Sequence, residues 1–388
     1  MTSKPNTTAM KGDGKPALVP KLRFPEFRGA DGWTSKTFKD FAAINKGEQL
    51  SASEKDDDAI YPHFNGGMSP SSYTRKKNTD ANTIIISEGG NSCGFIQFVT
   101  VPFWCGGHCY AVTPITTIVT GCLYYALQAK QRQIMALRVG SGLPNIQKSI
   151  LEKFVLALPR AIPEQQKVAE CLGSVDELIA AQARKLDALK THKKGLMQQL
   201  FPHEGETQPR LRFPEFSGQW NATQLEGLCD GIYSGRDKNA SEGEFDLYGS
   251  TGIIGKTAVP SHSGPHILVA RVGANAGLLN KADGKFGVTD NTLVINPKPS
   301  AHIDFIFYYL GNTKLNRFIF GSGQPLITGS ILKVLPVLIP NISEQRKISE
   351  CLSSLDDLIA AQSERVESLI AHKKGLMQQL FPISKDYA

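Results

Sequence analysis

The chain has 388 residues, 41% hydrophobic and 20% charged, with a formal net charge of +7. At about 150 residues per domain, this length gives two or three domains with real cores, in an ordinary globular composition rather than a fibrous or disordered one. The mild basic excess fits a polyanionic partner as well as a solvated surface, and no apolar run approaches the ~18 residues of a membrane span.

Residues 1–20 are mostly Ser, Thr, Pro, Gly and Lys. They form neither a signal peptide nor a span and are expected to be a disordered tail. A first head is expected over 21–163. It carries strand-like runs such as 83–87 and 94–99, a helical stretch over 123–138, then Gly140-Ser-Gly-Leu-Pro144. Within it, Cys105-Gly-Gly-His108-Cys109 lacks the second half of a metal site and reads as thiols in a turn, so no metal is expected. The seven cysteines, odd in number and without paired spacing, read as reduced thiols of a cytoplasmic protein.

A long helix is expected over 164–202. Its seam positions are Val168, Leu172, Val175, Ile179, Gln182, Leu186, Leu189, Lys193, Leu196 and Leu200, spaced 4, 3, 4, 3 without a break. Such a 3.5-residue period is a coiled-coil signal. Pro163 suits a helix start, and Pro202 ends the pattern. A second head follows over 203–343, with a strand-like run at 267–272, a helical stretch over 305–318, and Gly321-Ser-Gly-Gln-Pro325. A second helix is expected over 344–382, with Ser343 as its cap. Residues 383–388 form a tail.

The second helix repeats the first. His192-Lys-Lys-Gly-Leu-Met-Gln-Gln-Leu-Phe-Pro202 recurs letter for letter as 372–382, 180 residues on, and the seam recurs in the same phase. Leu22-Arg-Phe-Pro-Glu-Phe27 recurs as 211–216, 189 residues on. Near-identical helices thus frame two heads whose middles diverge. The expected class is α+β: two globular heads with curved, mainly antiparallel sheets, separated by two long helices. An internal duplication favours a pseudo-twofold and so an antiparallel coiled coil, whose midpoints, Gln182 and Gln362, can fix register. Lys193 and Lys373 occupy seam positions, and Gly195 and Gly375 each cost about 1 kcal/mol in a helix interior. The repeat of both features suggests subunit docking; snorkelling lysines explain them equally well.

Polar residues gather in Gly-rich loops. The first head offers His63, Asn65, Ser69, Ser71, Tyr73, Arg75, Lys76, Lys77, Asn78 and Asn91. The second offers Ser234, Arg236, Lys238, Tyr248, Ser250, Thr251, Lys256, Arg271, Asn275, Asp290 and Asn291. Arg and Lys suit guanine edges and phosphates, and Asn suits adenine; any single one of them can instead simply shape a turn. Gly249–Thr257 resembles a phosphate loop but has five residues between its outer glycines where the motif has four. No hydrolase, metalloprotease or methyl-donor motif is found.

The repeated Leu-Arg-Phe-Pro-Glu-Phe, the Glu-Gln helix starts at 164 and 344, and the repeated Lys-Lys-Gly-Leu-Met-Gln-Gln-Leu-Phe-Pro ends together resemble the specificity subunits of type I restriction-modification systems. The resemblance covers residues 20 to 385. It implies that 21–163 and 203–343 are target recognition domains, each reading one half of a split double-stranded DNA site. It further implies that the coiled coil spaces them and docks two modification subunits, and that two restriction subunits complete the complex. S-adenosylmethionine, ATP and Mg2+ would be used by those partners and no cofactor by this chain, which is then not itself an enzyme and has no membrane role. An alternative is a scaffold or adhesion protein whose heads bind protein or glycan; a self-sufficient nuclease is disfavoured by the lack of metal-binding carboxylates.

Overall fold

The computed structural model describes residues 18–382, apart from 141, 143, 241 and 320–324. The expected disorder of 1–20 therefore lies outside the described residues for 1–17, as does the tail 383–388. Leu18 itself pairs with Trp33 in a β-bridge.

The first head runs β1 (Thr34–Thr37), β2 (Ala42–Lys46), β3 (Tyr61–Phe64), β4 (Ser72–Thr74), β5 (Thr83–Ser87), β6 (Ile96–Val99), β7 (Trp104–Cys105), β8 (Cys109–Pro114), α1 (Thr120–Ala129), α2 (Gln131–Ala136), α3 (Lys148–Lys153) and β9 (Val155–Leu158), and leads into α4 (Ile162–Leu200). The second runs β10 (Asn221–Gln224), β11 (Cys229–Ser234), β12 (Phe245–Gly249), β13 (Gly252–Thr257), β14 (His262–Ser263), β15 (His266–Ala270), β16 (Leu279–Ala282), β17 (Lys285–Val288), β18 (Thr292–Pro297), α5 (Ile303–Thr313), α6 (Gly329–Lys333) and β19 (Pro336–Ile339), and leads into α7 (Ile342–Leu380).

The α+β expectation holds, and both heads use one plan. A four-stranded antiparallel sheet has the order β2-β8-β5-β6 in the first head and β11-β18-β15-β16 in the second. A second sheet, three-stranded β4-β3-β7 or four-stranded β13-β12-β17-β14, contains the parallel pair β3–β7 or β12–β17. A third ladder, β1–β9 or β10–β19, joins the start of each head to its end. Apolar strands such as Ile84-Ile85-Ile86 and Ile267-Leu268-Val269 are buried on both faces, which is why they read as continuous apolar runs.

The chain divides into two compact units, residues 1–182 with 365–388, and 183–364. This differs from the linear segmentation, because each unit takes one half of each helix. In the first unit, Glu164 near the start of α4 binds Arg23, while the carbonyl of Gln379 near the end of α7 accepts from Leu22 N at 3.0 Å. Adjacent residues thus touch opposite ends of the two helices. Further in, Asp176 meets Lys373, so the segments run antiparallel. The second unit repeats this with Glu344–Arg212, Gln199 O–Leu211 N at 3.0 Å and Asp356–Lys193.

Each head is held by a bracket at its helix start. Arg23 donates from Nε and Nη2 to the two carboxylate oxygens of Glu164, both at 2.8 Å, and Trp33 Nε1 donates to the same carboxylate at 3.0 Å. Arg23 also donates to the carbonyls of Ala30 and Asp31. In the second head, Arg212 grips Glu344 at 2.6 and 2.7 Å, and Trp220 Nε1 donates at 3.3 Å. The next residue completes the bracket. Gln165 accepts from Val119 N, just before α1, and donates to Pro159 O; Gln345 accepts from His302 N, just before α5, and donates to Pro340 O. Both helices begin two residues earlier than the sequence pattern indicated, and the cap of α7 is Asn341, whose Oδ1 accepts from Glu344 N at 3.0 Å, rather than Ser343. Starting there lets the buried Glu344 occupy the first turn, where a carboxylate is favoured by the helix dipole.

Glu164→Ala leaves the buried Arg23 without its counter-ion, which typically costs ~3–5 kcal/mol, and Glu344→Ala does the same to the partly buried Arg212 at a lower cost. Hydrogen exchange of the altered unit is expected to accelerate while the other unit's protection holds. Equal acceleration in both units, or none, would count against the bracket.

Candidate nucleic-acid interface

At one end of the four-stranded sheet in the first head, loops converge. Gly67 N donates to Ser92 Oγ at 2.9 Å, Asn65 Oδ1 accepts from His108 N at 3.1 Å, and Gly66 N donates to Cys109 Sγ at 3.0 Å. Asn65 therefore shapes this surface, and exposed Asn91, next to Ser92, lies on it. Gly47 crosses so close to the carbonyls of Cys105 and Gly106 that a Cβ would collide with backbone. Ser69, Ser71 and Tyr73 are exposed around the β3–β4 hairpin. Arg75, Lys76 and Lys77 follow it, paired with Asp56, Glu54 and Asp80 at 2.7, 2.7 and 2.8 Å. Exposed pairs of this kind contribute little, so these cations remain able to exchange partners.

His63 is a correction. It is only 1% exposed, its Nδ1 lies 2.9 Å from Ser72 Oγ, and burial lowers its pKa below the ordinary histidine value. It belongs to the core because β3 is buried along most of its length. Asn78 is also structural, bonding both the N–H and the carbonyl of Cys105. Cys105 and Cys109 pack inside the head, where burial pushes their thiols up to about 12 and about 11. No cluster of three or more His, Cys, Asp or Glu suited to a metal occurs among the described residues.

The second head gathers Ser234, Arg236, Arg271 and Asn291 at the matching sheet end. Gly235 N donates to Thr292 O at 3.1 Å, Arg271 N to Asn291 O at 2.9 Å, and Asp237 N to Val288 O at 2.9 Å. Gly235 repeats the close passage of Gly47, here against the carbonyl of Val288. Arg236 and Lys238 are exposed, with no carboxylate partner among the described residues, and Asn275 lies exposed in the loop after Arg271. Asp290 is exposed, and its carbonyl faces Arg271. Tyr248, Ser250, Thr251 and Lys256 sit apart, on or beside the β12–β13 hairpin. Tyr248 packs edge-on against Phe286, and Lys256 pairs with Asp246 at 2.7 Å. The phosphate-loop lookalike is this hairpin, turned at Gly252 with φ 100°. Superposing the two ladders also marks Lys46, Glu88 and His108 in the first head, which loop composition did not single out; aligning the two copies strand by strand would have found them.

The family model for the type I restriction modification DNA specificity domain matches residues 30–191 and again 221–369. The chain belongs to this family. A putative type I specificity subunit of Mycoplasma pneumoniae is 25% identical over 94% of this chain and 99% of its own length. The specificity subunit of a type I restriction enzyme of Methanocaldococcus jannaschii is 26% identical over 66% of this chain and 68% of its own. The solved type I S subunit of Mycoplasma genitalium shares the fold at TM-score 0.74 and 22% identity, over 95% of this chain and all of that one. A chain from a solved type I restriction-modification assembly has TM-score 0.54 and 16% identity, over 90% of this chain and 98% of that one. The matched domain occurs twice, once per head. No helix among the described residues is long and apolar enough to cross a membrane.

In this specificity chain the seam lysines are tied internally. Lys193 Nζ lies 2.5 Å from Asp356 and 5.1 Å from the centre of the Tyr308 ring, while Tyr308 Oη donates to Asp356 at 2.8 Å. Lys373, Asp176 and Tyr125 repeat this at 2.7, 5.3 and 2.9 Å. The charge of both lysines is met inside their own unit. Gly195 and Gly375 differ, because a Cβ on either would meet nothing within 4 Å.

Burial first, and then the bond to the neighbouring aspartate, raise the pKa of Tyr125 and Tyr308 above the ordinary phenol value. A raised phenol pKa favours the folded state fully below the unfolded value of about 10, and this contribution disappears as pH rises above it. Resistance to urea is expected to fall above pH ~10, and to fall less in the Tyr125→Phe/Tyr308→Phe double variant. Identical falls in both proteins would assign the loss to other groups.

Proposed function

We propose that this chain is the DNA-reading subunit of a type I restriction-modification complex, in which each head reads one half of an asymmetric bipartite site. The observation that carries this reading is the double match of one DNA-specificity domain onto two heads with a common frame and different polar ends. The exposed cations Arg75, Lys76, Lys77, Arg236 and Lys238 would meet phosphates, and loop amides and hydroxyls would meet base edges.

The two 39-residue helices, each about 58 Å long at 1.5 Å per residue, act as the spacer, with Gln182 and Gln362 fixing register at their middles. Two modification subunits dock on them, with Gly195 and Gly375 leaving room for close backbone approach, and two restriction subunits complete the assembly. S-adenosylmethionine, ATP and Mg2+ serve those partners, so methyl transfer and cleavage lie outside this chain, and the complex works in the cytoplasm. No observation favours the protein- or glycan-binding scaffold.

Methylome sequencing of cells expressing the chain with its modification subunit is expected to reveal one new split motif with unequal halves; no new motif would overturn the reading. Deleting one heptad from both helices is expected to change the gap and leave both half-sites unaltered. Altered half-sites with an unaltered gap would refute the spacer.

Binding of the complex to its site should weaken steeply with salt, and Arg236→Ala should reduce the slope by about one. An unchanged slope would place Arg236 away from the phosphates.

A further inference from the structure

Glu88 and Arg271 occupy the same place in the two heads. Each follows an inner strand, β5 or β15. Glu88 N donates to His108 O at 2.8 Å, and its carbonyl accepts from Ile146 N at 2.9 Å; Arg271 N donates to Asn291 O and its carbonyl accepts from Ile327 N, both at 2.9 Å. The charge at this place is reversed between the heads, and the surroundings change with it.

In the first head the charge is met from within. Glu88 accepts from Lys46 Nζ at 2.7 Å and from Tyr110 Oη at 2.9 Å, and its side chain is only 14% exposed. Lys46 and Tyr110 are register partners on β2 and β8. The corresponding partners on β11 and β18 are Ser234 and Leu293, neither of which can neutralise a cation. Arg271 therefore has no carboxylate among the described residues. Its Nη1 reaches only the Asp290 carbonyl, at 3.5 Å, and its Nε is buried without a partner. On the facing segment, the hydroxyls of Thr289 and Thr292 are also buried and unpartnered among the described residues. A buried donor without an acceptor is unfavourable, and a guanidinium satisfies that need best with two acceptor atoms side by side.

We propose that Arg271 is the specificity anchor of the second head and binds a pair of acceptor atoms on DNA, while the matching place in the first head is closed by its own Lys46–Glu88–Tyr110 network. This inference rests on the DNA-reading role proposed above. The acceptor pair is either guanine O6 and N7 or two oxygens of the backbone phosphates.

The test uses the full chain in complex with its modification subunit, comparing wild type, Arg271→Lys and Arg271→Gln by methylome sequencing and by DNA binding across salt concentrations. With guanine as the ligand, both variants lose preference at one base pair of the second half-site by roughly 5- to 150-fold, and the first half-site stays intact. With phosphate as the ligand, the motif persists and Arg271→Gln weakens binding evenly across sequences with a slope smaller by about one, an effect that Arg271→Lys largely rescues. The intact first half-site reports that the complex still assembles, and Arg271→Lys covers the case in which Arg271→Gln fails to fold. Wild-type motif, affinity and slope in both variants would overturn the anchor alone. Absence of any motif in the wild-type complex would overturn the DNA-reading role, and the anchor with it.

Discussion

Each head depends on one carboxylate buried in the first turn of a long helix. Glu164 is 2% exposed and Glu344 is fully buried. Desolvating a carboxylate is costly unless it is paired and its remaining lone pairs are filled. Here an arginine supplies two donors and a tryptophan a third. That requirement explains why Leu-Arg-Phe-Pro-Glu-Phe recurs, why a tryptophan follows each copy, and why Glu-Gln opens each helix. The chain has three tryptophans, and two of them serve the brackets. A buried ion pair adds little net stability compared with an apolar substitute, but it tolerates only one geometry. The bracket therefore fixes the angle at which a head leaves its helix more than it strengthens the fold.

The helices were legible in the sequence because their period repeats through ten seam positions in two copies. The start of the second helix reads two residues late because Asn341 and Ser343 are both good caps, and only the burial of Glu344 decides between them. The brackets are invisible as contacts because Arg23 and Glu164 lie 141 residues apart, in two repeated motifs whose pairing the sequence does not show. His63 was misread for a related reason. A strand buried on both faces shows no alternation, so a histidine within it looks like any loop histidine. The seam lysines looked like defects because the heptad pattern does not show the aspartate and tyrosine that receive them.

The sheet ends follow a different logic. The frame is conserved between the halves of this chain down to individual hydrogen bonds, including the glycine passages at Gly47 and Gly235. The side chains mounted on that frame are not. Lys–Glu–Tyr in one head stands where Ser–Arg–Leu stands in the other, with the backbone ladder unchanged beneath. Reading capacity can therefore change through side chains alone, because the strands that carry them are secured by apolar burial and brackets elsewhere.

The unit built from residues 1–182 and 365–388 closes through the bond from Leu22 to the Gln379 carbonyl. Its counterpart closes in the same way through Leu211 and Gln199, where the chain happens to run on without a break. The bond is the same with or without covalent continuity, so the order in which the heads are written carries no structural information. Each head brings its own arginine and tryptophan to the glutamate of the helix that follows it.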